Sequence, residues 1–348
     1  MELEVEGRLG AKVSEKCRRY CNLMSALVFL KLFAIFAVVA IGWAVARSGR
    51  LGGGDPSRVL SGAAFYIFVP ALLFRTSART DFARLDGRIV FAFFVPTIVV
   101  LLIVYATGRF ARDAAAAAPA APSVRAITAS FGNAVQIGIP LAAALYGESG
   151  LALHITLVSL HALILLTILT ALVELDLAHA KRRSDPGGGH LLGTLATTAR
   201  NTVVHPVVLP VLAGLAWNVT GIALPTVADE ILATLGQAVV PVCLVLIGVS
   251  LAHYGVRGAL RGAAALSVVK LVVQPLAVLA FARLVLGLEG VPLAVVVMMA
   301  AVPVGSNALI FSQRYQTLPA ETSTAIVVST LSFVASAPLW LAVLHAIG

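Results

Sequence analysis

Long apolar stretches constrain this 348-residue chain more than any other feature. A helix that crosses a bilayer needs about 20 largely apolar residues, because the hydrocarbon layer is about 30 Å thick. Ten stretches meet this requirement, and with 59% hydrophobic residues the chain has more apolar surface than a soluble domain can bury. The predicted spans are 25–46, 57–77, 88–110, 124–146, 151–173, 201–218, 228–253, 259–284, 291–313 and 321–346. The predicted fold class is therefore an all-α integral membrane protein with ten transmembrane helices.

The polar segments divide these spans into two halves. The longest polar segment, 174–200, contains a Gly-Gly-Gly run and a basic cluster, which are typical of a flexible connector. It separates a first five-helix repeat, 24–173, from a second one, 201–348. Residues 1–23 form an N-terminal tail.

The basic residues predict the orientation of the chain. One set of connections carries 13 Lys and Arg residues and the opposite set carries five, so the positive-inside rule places the linker in the cytoplasm and both termini outside the cell membrane. The tail adds basic residues to the outer side, and we therefore expect translation to start at Met24 in the natural protein. The outer arginines at 75, 79, 84 and 88 are interpreted as a solvated loop that could also attract anions. The net charge of +9 thus reflects topology, and no nucleic-acid partner is expected.

Two of the spans contain residues that an ordinary membrane helix avoids. Proline removes a backbone N–H and clashes with the preceding turn, so each of these spans is predicted to be a broken helix. Unpaired backbone groups are tolerated at membrane depth only where protein or a water-filled cavity surrounds them. Each break therefore predicts a binding site. The residues concerned are Asn133, Gln136, Gly138 and Pro140 in span four, and Pro303, Gly305, Ser306 and Asn307 in span nine.

Matching prolines indicate an internal repeat. Pro70 in span two corresponds to Pro241 in span seven, and Pro96 in span three corresponds to Pro275 in span eight. Because each half has an odd number of spans, matching spans run in opposite directions. The prediction is a 5+5 inverted repeat whose broken helices, spans four and nine, meet near the midplane, an arrangement used by many transporters.

At this point the chain resembles a known family. The residues from Phe131 to Gly147 are similar to the fourth-span signature of bacterial auxin efflux carrier family permeases, and Ala300 to Tyr315 is similar to their ninth-span signature. The resemblance implies a ten-span carrier with two crossing broken helices, related in fold to the bile acid sodium symporters. It also implies transport of small organic anions such as malonate or malate by bacterial members, and auxin export by plant members. Supporting similarities are found at 40–47, 241–252 and 270–275.

Three neutral polar side chains at the breaks are the first candidates for substrate binding. Asn133, Ser306 and Asn307 suit either a bound carboxylate or the backbone groups that the prolines leave unpaired. Half-helix N-termini favour anions, which supports the first alternative. The glycines and prolines at 138, 140, 303 and 305 are assigned to the shape of the breaks.

Further polar groups lie inside apolar spans. Gln136 and Gln274 either line the cavity or join neighbouring helices. Lys270 lies near the middle of span eight, where it could neutralise the anion, replace a coupling cation, or only bind backbone carbonyls. His154 and His161 share one face of span five, and helix contacts are favoured there over a proton relay.

The chain shows no pattern of catalytic residues and no metal-ligand spacing, so neither an enzyme nor a cofactor is predicted. Cys17, Cys21 and Cys243 form neither a disulfide framework nor a metal site. The predicted function is secondary transport of a small organic anion by alternating access, and the alternative is a membrane sensor that binds the anion without moving it. The expected partners are the anion and the lipid bilayer. A coupling proton or sodium ion and a homodimer stay open.

Overall fold

The computed structural model describes residues 33–34, 36–51, 56–79, 87–110, 118–184, 200, 204, 206, 208–254 and 259–347. The tail at 1–23, the start at Met24 and the linker residues 185–199 lie outside the described residues. Arg84, one of the four predicted outer-loop arginines, also lies outside them, in the segment 80–86.

The described residues fold into helices, which we number in chain order. Helix α5 is interrupted at Gly147, whose backbone is not helical (φ 62°), and it continues to Ser184, through the first part of the predicted linker. The helices are α1 (Phe36–Arg47), α2 (Pro56–Arg79), α3 (Gly87–Phe110), α4 (Ala121–Ser130), α5 (Ile139–Ser184), α6 (Val208–Val219), α7 (Thr226–Tyr254), α8 (Leu260–Val285), α9 (Gly290–Ala301), α10 (Asn307–Arg314) and α11 (Pro319–Ile347).

Six of these helices are long and apolar enough to cross a membrane: α2, α3, α5, α7, α8 and α11. Helices α1, α6 and α9 are equally apolar but have fewer than 18 described residues. The prediction of an all-helical membrane protein is confirmed. Helices α2, α3, α7, α8 and α11 coincide with the second, third, seventh, eighth and tenth predicted spans, whereas the end of the fourth predicted span and the whole of the fifth lie in the one helix α5.

The helices pack as two groups. In the first group α2 packs against α6 and α7, and α1 lies so close to α7 that a Cβ atom at Gly248 would be 2.0 Å from the Val39 carbonyl oxygen. In the second group α3 packs against α4, α9 packs against α5, and α8 packs against both α9 and α11. Helices α5, α10 and α11 also contact the first group.

Several helices contain a wider, π-helical turn two residues before a proline. In α8 such a turn spans Val269–Val273 and precedes Pro275. Because proline has no N–H, the carbonyl of Leu271 has no helical partner, and the Trp340 Nε1–H donates to it at 2.8 Å. A side chain of a neighbouring helix thus satisfies a backbone group that water cannot reach.

Candidate functional site

The two interrupted helices cross each other at their breaks. The first break, 131–133, separates α4 from a π-helical turn that leads into α5, and the second, 302–306, separates α9 from α10. Gly132 and Val304 form an antiparallel bridge. The Asn133 N–H donates to the Pro303 carbonyl at 2.7 Å, and the Gly305 N–H donates to the Phe131 carbonyl at 2.8 Å. Each break therefore provides hydrogen-bond partners for backbone N–H and carbonyl groups of the other break.

Small residues allow this close approach. A Cβ atom at Gly305 would lie 2.8 Å from the Gly132 carbonyl oxygen, and a Cβ atom at Gly132 would lie 2.7 Å from the Val302 Cγ2. Both distances are shorter than any ordinary contact of a Cβ atom. The glycines in the two segments are consequently required by the crossing itself.

Two polar side chains of α8 stabilise the crossing from behind. The Lys270 Nζ donates to the Ala300 carbonyl at 2.5 Å, in the last turn of α9. The Gln274 Nε2 donates to the Ser130 carbonyl at 3.1 Å, in the last turn of α4. Both side chains are completely buried, so the final turn of each half-helix receives a donor from α8. This geometry favours the alternative in which these residues bind backbone carbonyls.

A cavity of about 570 Å³ lies in front of the crossing, between the two groups of helices. Residues of α2, α5, α7 and both breaks form its wall. The polar and glycine residues in that wall are Arg75, Thr76, Ser77, Gly132, Asn133, Ser159, His161, Gly236, Gln237, Gly305, Ser306 and Asn307. Its apolar part comes mainly from α2, α5 and α7.

The structure brings four predicted site residues together in this wall. Asn133 from the first break and Gly305, Ser306 and Asn307 from the second line the same cavity. Lys270 is not among its lining residues.

The other predicted residues lie nearby. Gln274 is behind the crossing, and Pro303 lies within it. Gly138 ends the π-helical turn Ala134–Gly138, and the side chains of Gln136 and Pro140 are outside the described part of the chain.

The electrostatics of the wall favour an anion. The chain enters the helical turn Ala134–Gly138 directly after Asn133, and α10 begins at Asn307, so two helix N-termini start at the cavity. The N-terminus of a helix carries a partial positive charge and has N–H groups that donate hydrogen bonds to anions. The described lining residues include no Asp or Glu, whereas Arg75 is a cation.

Gln237 and His161 line the cavity but were not predicted as site residues. Gln237 on α7 carries the signal that singled out Gln136 and Gln274, an amide in an apolar span, and could have been found by it. His161 also lines the cavity, and the centroid of its ring lies 4.2 Å from the centroid of the Phe131 ring. The His154 Nε2 instead lies 2.8 Å from the Ala134 carbonyl oxygen, as the helix-contact interpretation predicts.

On the other side of the crossing the two helix groups are in contact. The Gln313 side chain of α10 is buried, and its Nε2 donates to the Ser57 Oγ of α2 at 3.3 Å and to the Ser250 Oγ of α7 at 3.4 Å. A side-chain hydrogen bond also joins Ser306 to Cys243 of α7. The cavity therefore extends from the crossing toward the end of the bundle where α2 ends and α7 begins.

Comparisons with known proteins agree with this architecture. A family model described as "Membrane transport protein" matches residues 27–341. A relative from Rhizobium meliloti (strain 1021), named "Putative malonate transporter", is 26% identical over 275 residues, which cover 78% of this chain and 82% of the relative. The family match includes both breaks, and the two matches together confirm the resemblance to the auxin efflux carrier permeases.

Proposed function

Because the chain belongs to the membrane transport protein family, we propose that it is a secondary carrier of a small organic anion, which binds at the crossing of the two broken helices. The main support for this proposal is the composition of one cavity wall. This wall contains two helix N-termini and the side chains of Asn133, Ser306 and Asn307, and its described residues include no Asp or Glu. Amide and hydroxyl groups at positive helix ends are suited to a carboxylate.

The substrate class follows from the size and chemistry of the cavity. A volume of about 570 Å³ is within the usual range of small-molecule sites and admits a small carboxylate with some of its water. The Rhizobium meliloti relative carries malonate in its name, which makes malonate the first anion to test. Malate, succinate and monocarboxylates complete the panel.

Alternating access supplies the mechanism. The cavity separates α2 and α7 from the crossing on one side, while Gln313, Ser57 and Ser250 join the same helix groups on the other side. A movement of the crossing helices against α2 and α7 would break the second contact and close the first space. The anion would then face the opposite side of the membrane without a continuous pore.

The proposal includes the complete topology. Ten spans form a 5+5 inverted repeat, with spans four and nine as the crossing helices and both termini outside the cell membrane. The positions of the described helices, the antiparallel pairing of the two breaks and the distribution of Lys and Arg residues support this arrangement. In this orientation the cavity opens to the outside.

Lys270 provides a second positive charge close to the anion. Its ammonium lies behind Gly132, 3.3 Å from the position of a Cβ atom there, and Gly132 itself lines the cavity. The ammonium can thus attract the anion across the backbone of Gly132 while its hydrogen bond to the Ala300 carbonyl is kept. A proton or sodium ion could complete the charge balance of the cycle, and uptake driven by each gradient separately distinguishes these cases.

Counterflow in proteoliposomes tests the proposal. Vesicles preloaded with unlabelled malonate should accumulate labelled malonate from outside, and empty vesicles or protein-free vesicles should not. A sensor, the second class considered, would bind malonate in detergent without any such exchange. Binding with no counterflow across the whole carboxylate panel would contradict the transport proposal.

A further inference from the structure

An arginine lies in the wall of the cavity at some distance from the crossing. Arg75 is on the last turns of α2 and lines the cavity beside Thr76 and Ser77. About one third of its side chain is exposed (32%). Arg75 is the one arginine or lysine among the described lining residues, and it therefore gives the cavity wall a permanent positive charge.

An acidic residue of α7 holds this guanidinium in place. The Arg75 Nε donates to the Asp229 Oδ1 at 2.8 Å, and the Arg75 Nη2 donates to the Oδ2 at 3.1 Å. A bidentate pair of this kind fixes the plane of the guanidinium as well as its position. The pair uses one edge of the group, and the Nη1 edge makes no hydrogen bond to the described residues.

The charges of the described side chains that are hydrogen-bonded to each other here do not cancel. Arg79, one turn further along α2, donates from its Nη1 to both oxygens of the same carboxylate, at 2.9 and 3.2 Å. Two guanidinium groups therefore share the carboxylate of Asp229, so these three side chains together carry one net positive charge. Arg79 is 55% exposed and does not line the cavity.

We propose that Arg75 is a carboxylate-binding residue of the cavity, a subsite separate from the crossing, with Asp229 as the residue that positions it. The inference rests on the proposed function, since it concerns the same anion in the same cavity. A carboxylate that enters past the ends of α2 and α7 meets the free edge of Arg75 before it reaches Asn133 and Asn307. Arg75 thereby selects anions over neutral molecules of the same size.

Arg79 offers a matched control for this subsite. Arg75→Gln and Arg79→Gln each remove one positive charge and the bonds to Asp229 from neighbouring turns of one helix, but only Arg75 contacts the cavity. The purified full-length protein is titrated with labelled malonate in detergent, and counterflow is measured in proteoliposomes. Each preparation is first compared with the wild type by size-exclusion chromatography and thermal unfolding.

We expect Arg75→Gln to weaken malonate binding about ten- to hundredfold, the usual range for a hydrogen bond to a charged group, and Arg79→Gln to weaken it less than about threefold. Arg75→Lys should give an intermediate loss, because it keeps the charge without the planar edge. This variant also tests the subsite if the glutamine variant does not fold.

The possible failures differ from one another. Equal effects of the two glutamine variants, or wild-type affinity in folded Arg75→Gln, would overturn the subsite while leaving transport and the crossing site intact. A wild-type protein that binds and exchanges none of the carboxylates would instead overturn the proposed function, and the Arg75 subsite with it.

Discussion

Replacement of Lys270 by methionine tests whether the buried ammonium acts on the transported anion. Methionine keeps an unbranched side chain of similar length but removes the charge and the donor to the Ala300 carbonyl. A comparison is available on the same helix, because Gln274 is equally buried and donates to the Ser130 carbonyl. Gln274→Met leaves a carbonyl without its donor but changes no charge.

The expected size of the effect follows from the position of the ammonium. It lies 3.3 Å from where a Cβ atom of Gly132 would be, and we take a separation of about 8 Å between the ammonium and an anion on the cavity side of Gly132. With an effective dielectric constant of about 20, the attraction is about 2 kcal/mol, which corresponds to roughly a thirtyfold change in affinity. The loss of the Ala300 bond costs about 1–3 kcal/mol of stability, and this loss is partly offset because a buried charge is removed.

Malonate titration of the detergent-purified variants measures this difference, and thermal unfolding reports on stability. We expect Lys270→Met to weaken binding about thirtyfold and Gln274→Met to weaken it clearly less, with similar unfolding temperatures. Lys270→Arg should also bind poorly, because Lys270 is completely buried and a planar guanidinium is larger than an ammonium. Equal losses in the two methionine variants would show that the bonds to backbone carbonyls matter and that the charge does not.

Three further predictions concern the crossing and the topology. Gly305→Ala should lower the unfolding temperature and abolish counterflow, because the added Cβ would lie 2.8 Å from a carbonyl oxygen of the other break, whereas Gly62→Ala, where nothing lies within 4 Å, should do neither. Trp340→Phe should reduce stability by about 1–3 kcal/mol in thermal unfolding, since the Leu271 carbonyl loses its donor in a buried place. In intact cells a cysteine introduced at Gly348 should react with an impermeant reagent and one at Gly188 should not, and the opposite result would reverse the orientation.

The sequence was sufficient to predict the helical class, and the described chain leaves the helical conformation at 131–133 and 302–306, within the two segments predicted to be interrupted. Both features depend on local chemistry: an apolar run of about 20 residues is typical of a membrane helix, and the close spacing of Pro303 and Gly305 disfavours its continuation. The similarity to a family of carriers then implied that the two breaks cross, and the backbone hydrogen bonds from Asn133 to Pro303 and from Gly305 to Phe131 are in keeping with this.

The direction of individual polar side chains could not be predicted in the same way. A helix surrounded by lipid and other helices is apolar on all sides, so its sequence does not distinguish a face toward a cavity from a face toward a neighbour. Gln237 and Gln274 are both amides in apolar spans, yet one lines the cavity and the other bonds the Ser130 carbonyl. The pairing of Arg75 with Asp229 joins residues 154 positions apart and depends on tertiary packing alone.

The central claim, that the two breaks form one anion site, is tested most directly by a double-mutant cycle. Malonate dissociation constants are measured for the wild type, Asn133→Ala, Asn307→Ala and the double variant, each shown to be folded. We expect each single variant to lose roughly ten- to hundredfold in affinity, and the double variant to lose less than the sum of the two free-energy changes, because both side chains contact one ligand. Unchanged dissociation constants in both single variants would place the anion elsewhere in the protein.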